Sequence, residues 1–251
     1  MKRIIISLFI VSIAIASQAA EKKAAKADAA KKEGFATTLS AGLSLADGNS
    51  ETLSANGSLK TEGEKEGLGS VLAGVEANYG EDTQEEVTER TVNNAKAYGN
   101  VKKTLSPRTF VSGDASLLYD EIALVDYRAI TGLGLGAYLV KNDKREMTVE
   151  AGPAYLWEQV DGLSDDYLTV WFGQRYACQA TQTAKLWEAV KYTPEASDFD
   201  NYLLTGEIGV EAAMSESLSL RVVLQDTYDS TPATDKEHND LSLVAGIGFT
   251  L

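Results

Sequence analysis

From Phe35 onward, apolar and polar residues alternate with a period of two in segments of roughly ten to fourteen residues, the spacing of half-buried strands. In the last segment Leu241, Leu243, Ala245, Ile247, Phe249 and Leu251 share one face, while Ser242, Val244, Gly246, Gly248 and Thr250 share the other. The first sets Leu39, Ala41, Leu43 and Leu45 against Ser40, Gly42 and Ser44. Helical spacing explains neither. Twelve segments follow from this reading, over 35–46, 51–62, 68–80, 90–104, 108–120, 128–140, 145–158, 166–179, 183–193, 201–213, 217–228 and 239–251.

The connections alternate in character. Short turns (EGEKEG, LSPR, KNDKRE, ATQT, MSES) separate every second pair of segments. The others, GEDTQEEVTE, EIALVDY, DGLSDD, TPEASDFD and DTYDSTPATDKEHN, are mostly longer and more acidic. Short turns on one rim and long loops on the other predict an all-β fold, an up-and-down antiparallel transmembrane β-barrel of about twelve strands. An even strand count puts both ends of the barrel on the short-turn rim.

Alternation shows that two faces differ, but not which one meets water. Aromatic placement carries that distinction, because a bilayer draws amphipathic rings to the depth of its interface. Tyr79, Tyr119, Tyr155, Trp157, Tyr192, Tyr202 and Tyr228 share the apolar parity of their strands and fall at the long-loop rim, as an outer aromatic girdle would; Phe35 and Phe249 fall near the other rim. The opposite face carries Lys60, Glu76, Lys96, Asp114, Glu150, Arg175, Glu207, Glu211 and Arg221. Such charges suit a wet lumen, either as ion pairs filling it or as the lining of a conductive path, and are costly in a dry core. Gln174, Glu188 and Asp226 have the lipid-facing parity and fit this scheme badly.

The N-terminus places Lys2 and Arg3 before an apolar run from Ile4 to about Ala16, followed by Ser17 and Ala19 at cleavage spacing. That arrangement predicts a secretory signal over 1–19. Residues 20–34, rich in Ala and Lys, read as a periplasmic tether, and 35–251 as the barrel. Without Lys2 and Arg3 there are 21 basic and 37 acidic residues, a balance of 21 − 37 = −16, which disfavours nucleic acid as a partner. Cys178 is the only cysteine, so no intramolecular disulfide is available.

Candidate chemistry is sparse. His238, the only histidine, lies between Glu237 and Asn239 and would have to be the general base of any serine hydrolase; beside carboxylates at a rim it reads as a solvated loop residue. Glu81, Asp82, Glu85, Glu86, Glu89, Asp161, Asp165, Asp166, Glu195, Asp198 and Asp200 crowd the long loops. They form either a solvated acidic rim or oxygen ligands for divalent cations, although no calcium-loop spacing is present. Gly132, Gly134 and Gly136 recur with period two on one sheet face. That spacing makes room for inward Tyr138 or Trp171 and does not form a dinucleotide fingerprint.

LSAGLSLADGNSETLSANGSL near the start, GLGLGAYLV in the middle, and YDSTP followed by NDLSLVAGIGFTL at the end resemble the "domain of unknown function" family 481, whose members are described as salt-induced outer-membrane proteins. The resemblance implies an outer-membrane barrel with no established activity, so no functional residue is carried over. Leu251 stands where such barrels commonly end in an aromatic residue, although Phe249 keeps the alternation. The expected protein is non-enzymatic, without cofactor or catalytic residues, and resides in the bacterial outer membrane with an envelope-structural or osmotic-stress role. Its expected partners are membrane lipids and the barrel-assembly machinery. A narrow porin-like channel, a hydrolase using His238, and a soluble periplasmic β-protein are the alternatives.

Overall fold

A computed structural model describes residues 34–46, 51–65, 69–84 and 87–251. The expected signal and nearly all of the tether lie outside them, as do Glu85, Glu86 and residues 48–50 of the GNSET motif. The described chain forms twelve strands: β1 (Gly34–Ala46), β2 (Glu51–Lys65), β3 (Gly69–Gln84), β4 (Val87–Ser106), β5 (Thr109–Asp120), β6 (Val125–Lys141), β7 (Arg145–Val160), β8 (Leu163–Gln179), β9 (Ala184–Pro194), β10 (Tyr202–Ala213), β11 (Leu218–Asp229) and β12 (Asn239–Thr250). Each pairs antiparallel with its sequence neighbours, and β12 returns to β1 to close the barrel. Closure leaves the sheet no free edge.

The register shows why the alternation must be kept. One row runs Leu39, Leu59, Val75, Ala97, Leu117 and Ala129 through successive strands. These side chains point outward, and Leu39, Val75 and Leu117 are exposed. The row one residue away, with Lys60, Gly74, Tyr98 and Ser116, points inward. A slip of one residue would exchange the two faces. Gln174, Glu188 and Asp226 do sit on the outer face and meet polar neighbours there: Gln174 Nε2 donates to Glu188 Oε1 at 3.5 Å, and Asn239 Nδ2 donates to Asp226 Oδ1 at 2.8 Å.

Two hairpins run farther than the sequence pattern predicts. DGLSDD is no loop: Asp161 and Gly162 alone turn the chain, with φ of 51° and 73°. Two consecutive positive φ values define the tight Asp-Gly hairpin turn that matches strand twist. Likewise, most of GEDTQEEVTE is strand, with β3 reaching Gln84 and β4 starting at Val87. Thr83 and Thr88 face each other across that hairpin, their hydroxyls 2.8 Å apart.

The closing seam is the shortest pairing. β1 and β12 match over four residues, Thr38–Ala41 against Thr250–Ile247, whereas β1 and β2 match over thirteen, Gly34–Ala46 against Glu64–Thr52. Immediately above, a side chain on Gly42 would meet the Ala245 carbonyl oxygen at 2.1 Å. Asn56 Nδ2, reaching past Gly42 from β2, donates to that oxygen at 3.4 Å. A side chain thus substitutes for the missing ladder bond.

Candidate functional site: the charged lumen

An eight-stranded barrel is just wide enough for side chains to fill, and about sixteen strands leave an aqueous channel. Twelve fall between, so the inward side chains decide whether the lumen is open. Here they divide it. Large residues occupy the β5–β9 half: Phe110, Leu156 and Trp171 are at most 2% exposed. Phe110 packs on Tyr138 with ring centroids 4.9 Å apart. The period-two glycines of β6 give these rings their space. A side chain on Gly136 would lie 2.2 Å from Phe110, and one on Gly134 would lie 2.6 Å from Trp171. Gly209 does the same for Trp187, at 2.0 Å.

Ion pairs then cross the remaining space at several heights. Toward the long-loop rim, Arg128 Nε donates to Glu158 Oε2 at 2.5 Å and its Nη2 donates to Asp229 Oδ2 at 2.8 Å. Lower down, Lys191 Nζ of β9 meets Asp114 Oδ1 of β5 at 3.0 Å, and Asn100 Nδ2 donates to the other oxygen of Asp114. Lys102 Nζ reaches Glu150 Oε1 at 3.0 Å, while Ser112 Oγ donates to Glu150 Oε2 at 2.8 Å. Glu207 Oε1 accepts from Trp187 Nε1 at 3.0 Å and from Arg175 Nη1 at 3.3 Å. Closer to the short-turn rim, Glu62 holds Lys60 at 3.2 Å and Lys185 at 3.4 Å. Each of these carboxylates therefore has a cation and most have a second donor, the condition under which enclosed charges are tolerated.

Cations also lie over the lumen rings. Lys191 sits 4.6 Å from Trp171, Lys102 is 4.6 Å from Phe110, and Arg221 is 5.2 Å from Trp187. Contacts of this kind favour charge where water is partly excluded. Against the small, polar β1–β3 and β11–β12 walls, a cavity of about 30 Å³ remains beside Arg221, Glu76 and Asn78. That is the space of roughly one water.

The kinship of the chain rests on its sequence: the profile of one protein family matches residues 39–251, from the outward Leu39 of β1 to the end of the barrel. The chain belongs to "Protein of unknown function, DUF481". None of the curated proteins matches this DUF481 chain. Among solved structures it is similar in fold to the NanC porin, at 10% identity and a TM-score of 0.53, over 86% of this chain and 100% of that one. The KdgM porin (7%, 0.45, covering 87% and 99%) and the translocator domain of the autotransporter NalP from Neisseria meningitidis (11%, 0.45, covering 86% and 86%) are further matches.

Of the charges singled out in the sequence, Lys60, Asp114, Glu150, Arg175 and Glu207 enter the ion pairs above. Lys96 faces Glu76 across β3–β4, and Glu211 faces Arg221 across β10–β11. Reading the sequence missed Arg128, Glu158, Asp229, Lys102, Lys191, Lys185 and Glu62. Parity was the available signal, since Lys102 follows Lys96 and Tyr98 at even spacing on β4.

On the outer face of the DUF481 barrel, rings form a continuous row near the long loops. Centroids are 6.4 Å apart for Phe172–Tyr192, 5.3 Å for Tyr192–Tyr202, 5.7 Å for Tyr202–Tyr228 and 5.6 Å for Tyr228–His238. Tyr155 and Trp157 pack together at 4.7 Å, and Tyr119 is exposed. Tyr79 lies under Arg90 and donates to Glu81 at 2.7 Å. His238 thus extends an aromatic row, and its Nδ1 lies 2.8 Å from the Asp229 carbonyl oxygen.

The loop carboxylates are engaged locally. Arg90 Nη1 donates to both oxygens of Glu121 at 2.6 Å and Asn93 adds a further bond, which holds the Glu121 carboxyl below its usual range. Asp166 accepts from Tyr155 at 2.5 Å. Glu195 accepts from Ser197 and, at 3.0 Å, from Asn201. These two hydrogen bonds lower its pKa, Ser197 contributing more.

Proposed function

We propose that this DUF481 protein is a non-enzymatic outer-membrane barrel whose narrow lumen passes water and small solutes when its cross-lumen ion pairs part, in an envelope-structural or osmotic role. The observation that carries the reading is the contrast between the two faces. A belt of exposed leucines such as Leu39, Leu133 and Leu243 encloses charges paired between opposite walls. That contrast suits lipid outside and water inside. It suits a soluble protein poorly, because large exposed apolar areas are rare on soluble monomers. The fold it shares with the NanC porin is consistent with this reading.

The ring row from Phe172 to His238 would then lie at the membrane interface, and the acidic loops would face outward. Two measurements test the proposal. Folded protein should migrate differently from boiled protein on a gel and require detergent; full solubility without detergent would overturn the membrane assignment. In planar bilayers the protein should show small unitary conductances, enlarged by Lys191→Met with Asp114→Asn. Silence from folded protein, in the wild type and this variant alike, would sink the channel reading.

A further inference from the structure

Beside the seam, three buried polar atoms have no hydrogen-bond partner: Ser40 Oγ, Ser219 Oγ and Arg221 Nε. Both serines are 7% exposed. They lie on either side of Gly248, where an added side chain would meet Ser219 Oγ at 2.8 Å and Ser40 Oγ at 3.4 Å. Arg221 stands one inward row higher, level with Gly246. Glu211 faces Arg221 across β10–β11 without an ion pair between them, and Glu76, which lines the same cavity, faces Lys96. Leaving such donors unmet inside a protein costs roughly 1–3 kcal/mol each. A cluster of them marks a place for an acceptor-rich group.

The cluster lies against the seam, where the two strands stay in contact past the end of their ladder, with Gly42 close to the Ala245 carbonyl oxygen. The β1–β12 ladder ends at Ala41–Ile247, one residue below the level of Gly42 and Gly246, and the cavity is lined from both sides of the seam by Ser40, Val244 and Gly246. Outside, next to the unpaired stretch, Leu43, Leu241 and Leu243 are 65–69% exposed. Donors within and leucines without thus stand on the two faces of the wall where the backbone ladder stops. Along the axis, by contrast, the way is crossed by Arg128–Asp229 near one rim and Lys185–Glu62 near the other.

We propose that the β1–β12 seam is a lateral docking site for a single-chain amphiphile with a carboxylate headgroup. The headgroup lies at Arg221, Ser40 and Ser219, and the chain lies along Leu43, Leu241 and Leu243. The assignment rests on the membrane placement proposed above, and it adds a ligand class that an axial channel does not require. Arg221 supplies the countercharge and the two hydroxyls complete the headgroup's bonds. The unpaired strands part to admit it without breaking a ladder.

Trp187, beside Arg221, reports on occupancy. In refolded full-length protein carrying Trp157→Phe, 2-bromododecanoate, whose bromine adjoins the carboxylate, should quench tryptophan emission saturably, and Trp187→Phe should remove that quenching. Arg221→Gln should weaken the apparent affinity about tenfold, the scale of one charge-assisted hydrogen bond. In a Cys178→Ser background, the pair Leu43→Cys and Ala245→Cys, opposite each other on continuing the register, should bind when reduced, more weakly than the parent for want of Leu43, and lose that binding when oxidised. A hundredfold excess of acetate should not compete. Equal quenching in the Arg221 variant and the oxidised pair, or full competition by acetate, would overturn the proposal. Conductance of the same preparations keeps the two readings apart: a conducting barrel that fails the quenching test removes only the amphiphile site, and a silent one that passes it removes only the channel.

Discussion

Arg128 on β6 donates to Asp229 on β11 at 2.8 Å, joining residues 101 apart in sequence and on well-separated walls of the barrel. The Arg128 side chain is 9% exposed, and its second bond, to Glu158, brings two carboxylates onto one guanidinium. Removing the cation leaves both acids enclosed and uncompensated. Arg128→Gln should therefore destabilise the barrel by about 3 kcal/mol, read from denaturant unfolding in lipid vesicles. Arg128→Gln combined with Glu158→Gln and Asp229→Asn should recover most of the loss.

The glycines beneath the lumen rings act through space. At Gly209 a methyl group would fall 2.0 Å from Trp187, so Gly209→Ala should cost about 1–3 kcal/mol by overpacking. Adding Trp187→Leu should relieve the clash. If the single variant unfolds at the wild-type denaturant concentration, the ring does not occupy that space.

A charge on the outer wall separates lipid from water as the medium there. Leu133 is 70% exposed. Leu133→Arg should cost about 2–4 kcal/mol if the residue lies near the bilayer midplane, and almost nothing on a soluble barrel. Unfolding from vesicles decides between them.

The β9–β10 loop should respond to acid. Hydrogen bonds from Ser197 and Asn201 lower the Glu195 pKa in the folded state, so the unfolded chain holds its proton more tightly. The contribution is then present above the ordinary carboxylate range, near pH 4, and is lost as pH falls through the lower folded value. Protection of the Ala196 amide, which donates to the Leu168 carbonyl at 2.8 Å, should fall below pH 4 when its exchange is compared with the intrinsic rate at the same pH. Glu195→Gln should remove that pH dependence.

The tight turn at Asp161–Gly162 is a local test of hairpin geometry. Gly162 has φ of 73°, so Gly162→Ala should destabilise the β7–β8 hairpin by about 1 kcal/mol. Gly162→Asn should cost less, because asparagine tolerates that conformation. Proteolysis near the turn would report both.

What the sequence determined by itself was periodic and local. Alternation set the twelve strands and the face of each side chain, because period two is a property of the extended backbone and register cannot slip without exposing the wrong face. Leu39, Leu43 and Leu243 could thus be assigned to one face, and Trp171 to the lumen, before any pairing was known. Asp161–Gly162 was also legible as a turn signal, although its acidic neighbours read as loop until the strands were seen to pair past them. The tertiary structure alone decided which inward charges meet. Arg128 finds Asp229, and Lys191 finds Asp114, only because closure and strand stagger bring distant walls to the same height, and neither relation leaves a local trace. The short β1–β12 ladder is of the same kind. It depends on how the first and last strands meet after all the others have paired, and the unpartnered donors at Ser40, Ser219 and Arg221 become a cluster only there.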